Sequence, residues 1–166
     1  MNFVVFIITV VGLYGFVTKL SAAGASLELY SERNYTCPEK FRKDQKRSDV
    51  VHAVNCFFLA FYAAVLLFYG ITFLFSTSFA LSPKFLLVIA IFSIFHTVIN
   101  KVVISKLGLG DKMSEIMEQW KSQKKITVTN DDEVRLYRMI KESVVNERYN
   151  IFYMILLFLM YFIVMA

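Results

Sequence analysis

The sequence predicts an all-α fold: a single membrane domain of 166 residues with four transmembrane helices. Both termini are placed on the lumenal or extracellular side, and two long loops in the cytoplasm. Composition is the first reason. Hydrophobic residues make up 57% of the chain and charged residues only 19%, against ~45–50% and ~25% in soluble domains. Seventeen Phe and nine Tyr suit a lipid-facing surface with aromatic belts. The second reason is that four apolar segments each reach the ~17–25 residues that a helix needs to cross a ~30 Å hydrocarbon core. The third is that nearly all basic residues fall on one side of those segments.

The first span runs from about Phe3 to Leu20 and the second from about Val50 to Phe75. The third covers about Phe85 to Ile104 and the fourth about Tyr149 to Ala166. The loops of about 21–49 and 105–148 are densely charged, whereas "STSFALSPK" between spans two and three is short and turns at Pro83. With four spans the two charged loops share a side, and among Lys and Arg only Lys84 lies opposite. The positive-inside rule puts both loops in the cytoplasm. That orientation removes Asn34 of the "NYT" sequon from glycosylation. It also favours an uncleaved first span, despite "AGA" at Ala23 to Ala25 resembling a cleavage site.

Two features are expected within the second cytoplasmic loop. Met113, Ile116, Met117 and Trp120 repeat at helical spacing, with Lys112, Lys121, Lys124 and Lys125 around them. This pattern fits a helix in the headgroup plane anchored by Trp120, and equally a helix capping the protein's own end. Further on, Thr129 or Asn130 can cap a helix whose first turn carries Asp131, Asp132 and Glu133. No Gly or Pro follows, so one helix is expected to continue into span four.

The polar residues inside the spans carry the functional information. His52, Asn55 and Cys56 fall at i, i+3 and i+4 of span two, and His96 and Asn100 at i and i+4 of span three. Counting residues places both pairs near the cytoplasmic ends, at matching depth. One reading is a polar pocket lined by His52, Asn55, His96 and Asn100, with Lys101 or Arg148 at its rim. The other is hydrogen-bonded glue between helices, which needs no ligand.

Catalytic chemistry finds less support. No carboxylate lies inside a span to complete a metal set with the two histidines, and no metal is expected. Cys56 lies four residues from His52 in an apolar setting, where a thiol stays neutral. Asp49 is spaced to orient the His52 ring. There is no phosphate-binding glycine loop and no HExxH. The two cysteines, Cys37 and Cys56, lack disulfide or CxxC spacing. The net charge of +5 comes without any nucleic-acid motif, so anionic lipid headgroups are the expected acidic partner.

The order and spacing of spans, with "VNC" at Val54 to Cys56, resembles the membrane-associated eicosanoid and glutathione metabolism (MAPEG) family. The resemblance implies a four-helix protein with lumenal termini in an internal membrane such as the endoplasmic reticulum, assembling as an oligomer. It also implies a glutathione or lipid site toward the cytoplasm, with Arg148 matching the arginine that activates the glutathione thiol. Two positions depart from the family pattern: Val51 stands where it has arginine, and Phe58 where it has glutamate. Together these features favour a non-enzymatic subunit or scaffold that binds partners or lipids without a cofactor. The alternative is a MAPEG-like glutathione-dependent transferase or isomerase using Arg148, Asn55 and His52.

Overall fold

A computed structural model describes residues 2–32, 39–75, 82–107 and 130–166. These form four helices, with no strand among the described residues: α1 (Asn2–Glu32), α2 (Glu39–Leu74), α3 (Pro83–Leu107) and α4 (Asn130–Met165). All four contain a stretch long and apolar enough to cross a membrane: Asn2–Leu27, Val50–Leu74, Pro83–Val103 and Arg148–Met165. The fold is therefore compatible with an integral membrane protein. The "DKMSEIMEQWKSQKK" pattern, including Lys112, Trp120, Lys121, Lys124 and Lys125, lies outside the described residues.

The helices extend further than the apolar segments alone. α1 has 31 residues, about 46 Å at ~1.5 Å per residue, against a ~30 Å hydrocarbon core. It runs through "SAAGASLELYSE", where a loop was expected after Leu20. That stretch is rich in Ala and Leu, contains no Pro, and has one glycine, Gly24, which costs a helix only ~1 kcal/mol. α4 is unbroken over 36 residues, from Asn130 to Met165.

α3 starts abruptly. Ser82 is its N-cap: the Lys84 amide donates to Ser82 Oγ at 3.3 Å, and the Phe85 amide to the Ser82 carbonyl at 2.8 Å. Pro83 occupies the first helical position, where its missing N–H costs nothing. Tyr69 near the end of α2 donates its hydroxyl to the same Ser82 carbonyl at 3.0 Å, linking α2 to the start of α3.

α2 is the central helix: 44% of its apolar stretch is buried, against 22% in α1 and α4 and 33% in α3. It packs along α1 on one side, while α4 packs on both α2 and α3. The α1–α2 seam is made by small residues. A Cβ added at Gly12 would come within 2.9 Å of the Ala63 carbonyl oxygen and the Leu67 amide nitrogen, and one at Gly70 would collide with the Thr9 side chain. Lipid tails are as apolar as the side chains, so close backbone approach and van der Waals contact hold such helices together. On α4, Asn150, Tyr153, Leu157 and Met160 form one buried stripe at spacings of three and four residues. The outer faces remain apolar, with Phe3, Tyr14, Phe95 and Phe162 each 62–73% exposed. An exposed apolar surface of this extent has to meet lipid or other protein.

Candidate functional site

The span hydroxyls and the other polar groups behave differently. The hydroxyls of Thr9, Thr18, Ser26, Thr72, Ser93 and Thr97 all donate to a carbonyl three or four residues earlier in their own helix. This back-bonding satisfies a hydroxyl inside an apolar span without any outside partner. Amides, imidazoles and the Tyr62 phenol are not satisfied this way, and they define the site.

α2 and α4 are joined by an amide pair. Asn150 Nδ2 donates to Asn55 Oδ1 at 3.1 Å, with both residues buried. On α3, His96 and Asn100 are also buried and share a face. The His96 ring meets α2 through Phe58, 4.5 Å between centroids, and through Tyr62 at 5.7 Å. Tyr62 lies seven residues, two turns, beyond Asn55 and is fully buried. Four buried polar atoms have no hydrogen-bond partner among the described residues: Tyr62 Oη, His96 Nδ1, Asn100 Nδ2 and Asn150 Oδ1. Buried polar atoms are normally paired, so four orphans need an explanation: Tyr62 and His96 are in ring contact, Asn100 is one turn from His96, and Asn150 is bonded to α2 through Asn55, a set termed the polar seam below.

His52 does not join this seam. Its ring faces α1, with Nδ1 2.8 Å from Ser26 Oγ. Ser26 Oγ also lies 2.9 Å from the Ala22 carbonyl, and when its single hydroxyl proton is donated there, His52 Nδ1 is the donor to Ser26. Of the expected pocket residues, Asn55 is bonded to α4, His96 packs on Phe58 and Tyr62 of α2, Asn100 is buried on α3, and His52 is bonded to α1. The cause is rotational: at ~100° per residue, His52 and Asn55 differ by ~60° around α2, enough to face different neighbours. The Asp49 side chain lies outside the described residues.

Cys56 is buried, with Sγ 3.9 Å from His52 Nδ1 and 3.7 Å from Nε2. Both ring nitrogens are thus within reach of the buried sulfur, a weak thiol–imidazole contact one turn apart on α2. Among the described residues no three His, Cys, Asp or Glu side chains gather as a metal set. Arg148 and Lys101 are exposed. At the same end, Lys19 Nζ lies 3.9 Å above the centre of the Tyr149 ring, a cation–π contact between α1 and α4.

Sequence reasoning missed Asn150, Tyr62 and Ser26. Asn150 carried a signal, being an amide two residues inside an apolar span, and Tyr62 shares the Asn55 face at i+7. Ser26 had none, because it lay beyond the expected end of span one. Comparison with protein-family models, curated proteins and solved structures found no match.

Proposed function

We propose that the protein is a small non-enzymatic membrane subunit that binds partners or lipids, working as a homo-oligomer or within a larger complex. Its charged loops would lie in the cytoplasm, its termini would face the lumen, and it would reside in an internal membrane such as the endoplasmic reticulum. The observation that carries this reading is how the site residues are engaged. Two of the three side chains that a MAPEG-like enzyme would use are held by other helices: Asn55 by Asn150 and His52 by Ser26. The third, Arg148, is exposed. Broad apolar outer faces supply the binding surface.

The alternative, a MAPEG-like glutathione-dependent transferase or isomerase, rests on the order of spans, on "VNC" and on Arg148. Glutathione binding and thiol-conjugation assays on the purified protein separate the two. The expected outcome is neither binding nor turnover. Tight glutathione binding that Arg148→Ala abolishes would overturn the non-enzymatic reading.

A further inference from the structure

We propose that the seam between α2, α3 and α4 is a recognition site for the uncharged, hydroxyl-bearing headgroup of a neutral lipid, reached sideways between α2 and α3. This rests on the lipid-binding reading above and names the ligand class.

The hydrogen-bond inventory sets the chemistry. Asn150 Oδ1 is an acceptor, Asn100 Nδ2 a donor, Tyr62 Oη both, and His96 Nδ1 either, according to tautomer. A group that both donates and accepts complements this set, as a lipid hydroxyl beside an ester carbonyl does. None of the four residues that carry the orphan atoms bears a permanent charge, and Lys101 and Arg148 are exposed. A phosphate or ammonium headgroup would lose its hydration there without a countercharge, which is far costlier than burying a hydroxyl that finds partners.

The packing sets the route. α4 packs on both α2 and α3, whereas those two meet chiefly through rings: Phe58 lies 5.8 Å from Phe92 and 4.5 Å from His96. Phe58 is half-buried and Phe92 exposed, so this aromatic contact reaches the outer surface, and Phe58 also packs on His96 and Tyr62, which carry two of the orphan atoms. Phe95 and Ile99, exposed on α3, continue the apolar surface along which acyl chains would lie.

The test uses the full chain in nanodiscs carrying a photoactivatable diacylglycerol or, in parallel, a photoactivatable phosphatidylserine, with adducts mapped by mass spectrometry. Diacylglycerol adducts are expected around Phe58, Phe92 and His96, competed away by unlabelled diacylglycerol, with phosphatidylserine labelling this region weakly. Asn100→Leu leaves the Asn55–Asn150 bond in place and removes one donor; it should lower diacylglycerol labelling roughly three- to tenfold, the worth of one hydrogen bond. Helix content measured on the same sample reports folding, and Asn100→Gln, which keeps the amide, should restore part of the labelling. Equal labelling by both lipids, or diacylglycerol labelling that Asn100→Leu leaves unchanged, would show ordinary annular contact and overturn the proposal. A partner complex surviving in either case would leave the non-enzymatic reading standing, so the two fail separately.

Discussion

Asn150 on α4 donates to Asn55 on α2 across 3.1 Å, an amide pair between residues 95 apart in the chain and buried among apolar helices. An interhelical hydrogen bond of this kind stabilises a membrane bundle modestly, because separated helices find other partners in the bilayer. Its value here is positional. It fixes the rotation of α4 against α2 and leaves Asn150 Oδ1 buried without a partner among the described residues.

A double-mutant cycle tests the pair. Asn55→Leu and Asn150→Leu should each destabilise the fold, and their coupling should be about 0.6–1.7 kcal/mol. The double variant should cost less than the sum of the singles, since each single leaves one buried amide stranded. Reversible unfolding in mixed micelles measures all three; strict additivity would mean that the contact carries no energy.

Helix contact predicts a contrast between glycines. Gly12→Ala drives a methyl to 2.9 Å from the α2 backbone, which cannot rotate away, and should cost about 1–3 kcal/mol. At Gly15 the added carbon would collide with the Tyr153 hydroxyl, so that substitution should separate α1 from α4. Gly24 has nothing within 4 Å, and Gly24→Ala should be neutral or stabilising by up to about 1 kcal/mol. Thermal unfolding of the three variants ranks them.

The Ser82 cap predicts that Ser82→Ala lowers stability by about 1 kcal/mol, with recovery in Ser82→Asp. Tyr69 should be unaffected, because it bonds the backbone carbonyl of Ser82 rather than its side chain. An unchanged midpoint in Ser82→Ala would show that the proline alone sets the start of α3.

The orientation is open to thiol labelling. Cys56 is only 1% exposed, so an impermeant maleimide applied to sealed vesicles reports Cys37 without the other cysteine interfering. Labelling is expected only when the reagent has access to the cytoplasmic face. A glycan at Asn34 would reverse the orientation.

Much of the fold was legible because length and hydropathy are sufficient signals for a membrane helix: four apolar stretches and one proline place four helices. The extension of α1 to Glu32 was not, because its continuation is polar and helical at once, and hydropathy marks the lipid boundary rather than the helix end. At the site, His96, Asn100 and Asn55 stood out as polar residues where apolar ones belong. Their partners depended on rotation about each axis. His52 and Asn55 sit one turn apart in sequence, yet one meets Ser26 and the other Asn150. Spacing along one helix gives a face, and only packing decides which neighbour that face meets.

The central claim is that the chain works by what it binds. Affinity purification in mild detergent followed by native mass spectrometry tests this most directly. The prediction is an assembly heavier than one chain, either a homo-oligomer or a complex with a co-purifying partner. A single bare chain, with neither partner nor retained lipid, would contradict it.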